Sequence, residues 1–378
     1  MQILYFPVHE VLEYDDLKLF RSLGHSVFSL GKFGQPDHPV ALRDAHDAHA
    51  AADHLHAFLQ SRRLVNGVPA LGRAFVDRFD LVVINHDSQL VAVNRAALAG
   101  KPVIWRTVGQ ARRSLERTAW KAGRNLFVAR YSRREAMLPG MMPDDAVVYF
   151  GKEPDEYGPW SGADRRVLTF YNGTDRADAI PKAGEYAAIV EGFPADLYGR
   201  ANDGLPTARG IAPPDLQREL FRRCGLYLYI HSELASYTLN FMEALMSGAP
   251  VLAPSARFVA ARARDPNWHP LRYEIEELLA GGAGLIYDSV EQARELIGKV
   301  LDGTIDATAI SAAGRRRALE LFSNEAVRPH WAAALARAAA APRFSDRARA
   351  TSLGLRLTAG LRAFRAGRAT LPPEVRPA

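Results

Sequence analysis

The chain has 378 residues, 48% hydrophobic and 24% charged, a length and balance that suit two globular domains and exclude a mainly disordered or fibrous protein. A single cysteine, Cys224, excludes an internal disulfide framework and a cysteine-cluster zinc site, and no run of about 18 apolar residues is present to span a bilayer. The formal net charge of +6 sits in residues 343–378, where eight arginines face Asp346 and Glu374; the balanced remainder makes no case for a nucleic-acid-binding body.

The first residues, MQILYFPVHEVLEYDD, lack a basic region followed by an apolar stretch, so no signal peptide is expected and a cytoplasmic protein is the default. Gln2–Phe6 reads as a strand, Asp16–Leu23 as a helix closed by Gly24, and His25–Leu30 as a second strand. Helical segments are expected around 41–61 and 67–78. The strongly apolar strand Asp80–His86 follows, then a helix over Ser88–Ala99, a strand at Pro102–Trp105 and a fifth at Leu126–Ala129. Strands apolar on both faces and separated by helices predict a parallel sheet covered on both sides.

Residues 139–166, rich in Pro, Gly and acidic side chains, have the composition of an interdomain linker. A second alternation follows. Strands are expected at Val167–Tyr171, Phe193–Tyr198, Leu226–Ile230 and Val251–Ala253, with helices to about Val190, over Pro214–Arg223 and up to Ser247. The pattern predicts an α/β protein with an N-terminal domain over 1–150 and a second over 151–325. A helix is expected over 326–342, followed by the basic tail over 343–378. Ligands of doubly wound folds lie beyond the carboxyl ends of the strands.

The most informative stretch is Ser232–Pro254. Ser236 is a suitable N-cap, Gly248 a suitable C-terminal residue for the helix, and Pro250 prevents its continuation. Leu239, Met242, Leu245 and Met246 make an apolar stripe, and Glu243 lies beside it, where a carboxylate needs a hydrogen-bonding partner. The helix start near Tyr237, Thr238 and Leu239 offers free N–H groups and a positive dipole end, suited to phosphate.

FMEALMSGAPVLAP, within this stretch, resembles the LEAMAxGxPVVA segment of nucleotide-sugar-dependent glycosyltransferases of GT-B architecture, the large retaining family with an E-x7-E motif. The resemblance implies two Rossmann-like domains facing across a cleft, the first for the acceptor and the second for the donor. It implies that Glu243 binds the nucleotide ribose and that the amides of Thr238 and Leu239, beside Tyr237, hold the diphosphate. The first glutamate of the motif falls on Ala235, with Glu233 two positions early, a departure that touches the donor-sugar contact and the retaining mechanism. After the strand Val167–Tyr171, Arg176 and Lys182 match the family's arginine and lysine directed at the diphosphate. There, two fixed cations stabilise the charge that builds as the glycosidic bond breaks. Gly210 and Ile211 open a loop where such proteins wrap the base.

In the first half the strand ends carry the candidates: His9 and Glu10, His86 and Asp87, and Arg106–Gln110. The glycine-rich first loop and the histidine that the family places near Arg106 are absent. His86 or Asp87 is the general base if the reaction inverts; if it retains, the leaving diphosphate takes the acceptor proton. Glu13, Asp15 and Asp16 read as acids favouring a helix N-terminus. His46, His49, Asp53 and His56 recur at helical spacing and read as a solvated helix face rather than a metal site.

The resemblance implies no bound cofactor and no metal; the co-substrate is a nucleoside-diphosphate sugar, UDP-linked by preference or GDP-linked, and the acceptor a saccharide, lipid or protein. Bacterial polysaccharide or glycolipid assembly is the expected setting. In the tail, Leu353, Leu357, Leu361 and Phe364 recur among arginines. Packing on the first domain, disorder, a peripheral membrane contact and nucleic-acid contact all remain open there. The non-enzymatic alternative is a degenerate GT-B subunit that binds nucleotide or a partner without turnover, consistent with Ala235 and the missing first loop. A dinucleotide oxidoreductase lacks its Gly-x-Gly-x-x-Gly fingerprint.

Overall fold

The computed structural model describes residues 1–29, 31, 52–109 and 112–347. The chain divides into two units, Met1–Gly151 joined by the segment from Val327 on, and Lys152–Ala326.

The first unit opens with β1 (Gln2–Phe6), α1 (Glu10–Ser22), β2 (Ser26–Ser29), α2 (Ala52–Ser61), β3 (Arg63–Val65), β4 (Val68–Ala70) and α3 (Arg73–Val76). It continues with β5 (Leu81–Asn85), α4 (Ser88–Val93), α5 (Arg95–Leu98), β6 (Val103–Arg106), α6 (Arg113–Ala122), β7 (Phe127–Arg130), α7 (Arg133–Ala136) and β8 (Ala146–Val147). Six strands form one parallel sheet in the order β2-β1-β5-β6-β7-β8. The strand period of two sends alternate residues to opposite faces. Val82, Ile84 and Trp105 join a core with Phe58, Phe75 and Phe79 on one side. Leu81, Val83 and Ile104 join another on the far side, where Trp331, Ala334 and Leu335 complete the packing.

The second unit carries β9 (Asp164–Phe170), β10 (Ala179–Ile180), α8 (Ala183–Val190), β11 (Ala195–Tyr198), α9 (Pro214–Arg223), β12 (Cys224–Leu228), β13 (His231–Ser232) and α10 (Leu239–Ser247). Then come β14 (Val251–Pro254), α11 (Ala256–Arg262), α12 (Ile275–Leu278), β15 (Leu285–Tyr287), α13 (Val290–Leu301) and α14 (Ala307–Phe322). Its parallel sheet has the order β11-β9-β12-β14-β15. A final helix, α15 (Asn324–Ala340), supplies the Trp331 face of the first unit's core. Each sheet has a switch point, where strands on either side continue in opposite directions: β1/β5 in the first unit and β9/β12 in the second. Ligands of such sheets bind in the crevice outside the carboxyl ends at that point.

The expectation of two doubly wound parallel sheets holds, and several local expectations need correction. The helix expected at Asp16 begins at Glu10, capped by the His9 ring, which accepts from the Val11 amide. Of the 67–78 segment only Arg73–Val76 is helical, because Asn66 and Gly67 take positive φ angles of 52° and 77° and turn a β3–β4 hairpin. The stretch read as a linker holds the edge strand β8 and the start of β9. Residues 41–51, His46 and His49 among them, the side chain of Asp53, Gln110, and the amphipathic part of the tail lie outside the described residues.

Candidate functional site

In the second unit the loops on both sides of the β9/β12 switch point carry the residues singled out from the sequence. β12 leads through β13 to α10, a nine-residue helix of Leu, Met, Ala, Phe, Asn, Glu and Ser with no β-branched side chain. Its N-cap is Thr238, not Ser236: the first intrahelical bond runs from the Met242 amide to the Thr238 carbonyl, while Ser236 is buried and its carbonyl accepts from the Glu274 amide. The amides of Leu239, Asn240 and Phe241 thus belong to the open first turn. The helix ends at Gly248, in the left-handed conformation at φ 78°, where a Cβ would come within 2.9 Å of the Ser311 Oγ. Met242, Leu245 and Met246 are fully buried, as the apolar stripe predicts; Leu239 is half-buried at the open end.

Glu243 is buried and held by three donors. Its Oε1 accepts from the Lys152 Nζ at 2.7 Å and the Tyr157 hydroxyl at 3.2 Å, and its Oε2 accepts from the Gln217 amide at 2.8 Å. This supplies the partner that a buried carboxylate requires. Gln217 lies on α9, which two prolines start, and its amide also donates to the Asn240 Oδ1 at 3.2 Å. Lys152, Tyr157 and Gln217 were not among the sequence candidates. Lys152 and Tyr157 fall in the stretch read as a linker, and the pair Lys152–Glu243 spans 91 positions.

The loop after β9 carries Arg176 and Lys182. Arg176 makes a bidentate pair with Asp178 at 3.0 and 3.1 Å and is half exposed. Lys182 precedes α8 and its ammonium donates to the carbonyls of Arg176, at 3.4 Å, and Ala177. The two cations are therefore brought together on one loop, each already held by it. Asp178 also accepts from the Ser232 hydroxyl at 2.9 Å, which ties this loop to β13 on the other side of the switch point. The next strand, β11, ends at Tyr198, and Gly199 lets it pass close: a Cβ there would meet the Tyr171 carbonyl oxygen at 1.9 Å. The amide of Gly199 donates to the Gly210 carbonyl at 2.8 Å, and Ile211 beyond it is 63% exposed.

Two side chains that precede α10 in the chain have partners elsewhere. The Tyr237 ring is buried against Phe322, with centroids 5.4 Å apart, so the ring serves the core. Glu233, the nearest carboxylate to the motif's first glutamate, is buried and caps the amides of Arg264 and Asp265, while Ala235 occupies the motif position, buried as well.

In the first unit, His86 and Asp87 end β5 at the β1/β5 switch point. The His86 amide continues the sheet to the Arg106 carbonyl at 2.7 Å, and His86 itself turns to φ 58°. A left-handed non-glycine residue is strained, and such residues concentrate at functional sites. Burial holds the His86 imidazole below its ordinary pKa, against the opposing pull of Asp87 and Glu116. Asp87 caps α4 by accepting from the amides of Gln89 and Leu90 at 2.8 and 3.0 Å. Of the acids read as a helix-start group, Glu13 lies in the first turn of α1 and Asp15 and Asp16 beyond it; all three are buried, Asp16 paired with Arg106 at 2.6 Å and Glu13 accepting from the Ser29 hydroxyl. His56 is exposed and contacts Gln60, and among the described residues no group of three or more His, Cys, Asp or Glu is arranged to hold a metal.

No family model and no curated protein matches the chain significantly. Solved structures do. The chain is similar to HepE from Anabaena in complex with UDP-glucose, with a TM-score of 0.61, 15% identity, and 89% of this chain and 99% of that one covered. A glycosyltransferase from Rickettsia africae gives a TM-score of 0.59 at 10% identity, over 90% of this chain and 98% of that one. The pneumococcal O-GlcNAc transferase GtfA in complex with UDP and GlcNAc gives 0.58 at 11% identity, over 89% and 99%. The likeness runs over almost the full length of each of these proteins, and the chain has the GT-B fold that they share.

Proposed function

We propose that the chain is a glycosyltransferase that moves a sugar from a nucleoside-diphosphate sugar, UDP-linked by preference, to an acceptor hydroxyl. The observation that carries this reading is the switch-point edge of the second unit. There a held carboxylate (Glu243) suits the ribose of one ligand class, and an open helix start (Leu239–Phe241) with a two-cation loop (Arg176, Lys182) suits its diphosphate. In this reading Glu243 accepts from the ribose hydroxyls. The amides after Thr238 and the two cations hold the diphosphate, and the Gly210–Ile211 loop borders the base. The fold shared with HepE, solved with UDP-glucose, supports it.

In the transfer, the bond from the anomeric carbon to the diphosphate oxygen breaks and one to the acceptor oxygen forms. Arg176 and Lys182 stabilise the leaving diphosphate as its charge grows, which lowers the barrier only as far as that contact tightens in the transition state. This serves in place of a metal ion. In a retaining reaction the departing diphosphate takes the acceptor proton; in an inverting one the proton passes to His86, whose neutral form burial favours. Retention is the proposed outcome. Polysaccharide or glycolipid synthesis in the cytoplasm is the proposed setting.

The alternative, a nucleotide-binding subunit without turnover, draws on Ala235 and on a Glu233 turned to the 264–265 loop. Two measurements separate the readings. A thermal-shift panel of UDP, GDP and ADP should show UDP raising the melting temperature, since a ligand bound at 100 times its Kd adds about 2.7 kcal/mol. Release of UDP from UDP-sugars in the presence of acceptor saccharides marks a transferase; binding with no release marks the alternative. In the transferase, Arg176→Ala should lower kcat more than it weakens UDP binding, and equal effects on both would count against the assigned role.

A further inference from the structure

Lys152 is wholly buried, yet its ammonium sits 2.7 Å from the one carboxylate oxygen that it shares with Tyr157. Its main chain is held as firmly. The Lys152 amide donates to the Phe322 carbonyl at 2.7 Å and its carbonyl accepts from the Asn324 amide at 2.8 Å, the two passages of chain at the ends of the second unit being paired at this residue. The other carboxylate oxygen accepts from Gln217, whose amide is in turn bonded to Asn240, and Asn240 donates to the Phe170 carbonyl at the end of β9 at 3.4 Å. A carboxylate has about four lone-pair sites, and three are taken here from fixed directions. A buried ion pair is a poor stabilising device beside well-packed apolar groups of the same volume. One set beside the open edge of a switch point has another use.

We propose that Lys152 is the positioning residue for Glu243, with Gln217 as the opposing clamp, and that this arrangement makes the site select nucleotides bearing ribose hydroxyls. The inference rests on the reading of Glu243 as the ribose anchor. Lys152 supplies the counter-charge and, with Tyr157, occupies Oε1, so the remaining acceptor site of Glu243 is on Oε2, the oxygen held by the half-buried Gln217. A site built to accept a hydrogen bond from a hydroxyl rejects an analogue without it, because the acceptor is left desolvated and unpaired. If the carboxylate could rotate, it would follow other donors and the discrimination would fade.

The test is the affinity ratio between UDP and 2′,3′-dideoxy-UDP, measured by titration calorimetry on the full chain. Wild type should bind UDP at least about tenfold more tightly, and Glu243→Ala should abolish the difference. Lys152→Met should bring the ratio to within about threefold while affinity for the dideoxy nucleotide stays near the wild-type value, and Lys152→Arg should recover part of it. Gln217→Ala, at a half-buried position, should lower the ratio as well and decides the matter if Lys152→Met does not fold. Folded Lys152→Met and Gln217→Ala proteins that keep the wild-type ratio overturn the positioning role while leaving the ribose anchor intact. A wild type with no preference for UDP, or a Glu243→Ala protein that retains it, overturns the ribose anchor itself, and the positioning role with it.

Discussion

Glu243→Ala should destabilise the second unit well beyond the effect of an ordinary helix substitution. The Lys152 side chain is 0% exposed and that of Glu243 9%, so removing the carboxylate takes away the counter-charge 2.7 Å from a buried ammonium and one acceptor each from Tyr157 and Gln217. Breaking one side of a buried pair costs about 3–5 kcal/mol. For a unit of this size, each kcal/mol lowers Tm by about 2–4 °C, which gives a fall of about 6–20 °C. Replacing both charges, Lys152→Met with Glu243→Leu, should recover most of the loss, because it restores packing without burying charge. Differential scanning calorimetry on wild type, Lys152→Met, Glu243→Leu and the double variant measures the coupling directly. A Glu243→Ala protein that unfolds within about 2 °C of wild type, or single-variant losses that simply add in the double variant, would refute the reasoning.

Glu13, buried under the first unit's sheet, has its carboxyl pushed up to about 7 by burial, opposed by the Ser29 hydroxyl and reinforced by Glu10. The folded state then holds a proton that the unfolded chain releases near 4.5. The associated stability is complete below about pH 4.5, falls as the pH rises, and is gone above about 7, a total on the order of 3 kcal/mol. Glu13→Gln should remove that slope and gain on wild type at pH 8 but not at pH 5, as denaturant melts at the two values will show. For an inverting reaction, His86→Ala should lower turnover by about 10²-fold or more. The wild-type rate should fall only on the acid side of the ordinary histidine value, since burial keeps the ring neutral above it. An unchanged rate in both His86→Ala and Asp87→Asn assigns proton acceptance to the leaving diphosphate.

What the sequence revealed was local chemistry. The apolar runs Leu81–Asn85 and Val103–Arg106 are buried at every position, so their strand character survives without alternation. Glu243 was legible because the helix that bears it closes at Gly248 and Pro250, a signal carried within a dozen residues. Sequence alone puts the N-cap two residues early because both Ser236 and Thr238 have capping hydroxyls, and only the folded chain, with the Ser236 carbonyl accepting from Glu274 and that of Thr238 from Met242, separates them. The β3–β4 hairpin did carry its turn signal, Asn66-Gly67, beneath an apolar pattern that reads equally as helix. Lys152 was invisible for a different reason. Nothing around it in sequence announces a partner 91 positions away, and its Gly- and Pro-rich surroundings read as a connector. The pairing of Arg176 with Asp178 was equally hidden: a two-residue spacing in a loop has no preferred geometry until the Ser232 hydroxyl and the β10–β13 pairing fix it.

In the proposed reading the second unit grips a nucleoside diphosphate at its β9/β12 edge. A crystal structure with UDP bound tests it most directly. The ribose hydroxyls should lie within hydrogen-bonding distance of the Glu243 carboxylate and the diphosphate against the Leu239 and Asn240 amides, near Arg176 and Lys182. A nucleotide found at any other edge of the sheet, with Glu243 still held only by Lys152, Tyr157 and Gln217, would contradict it.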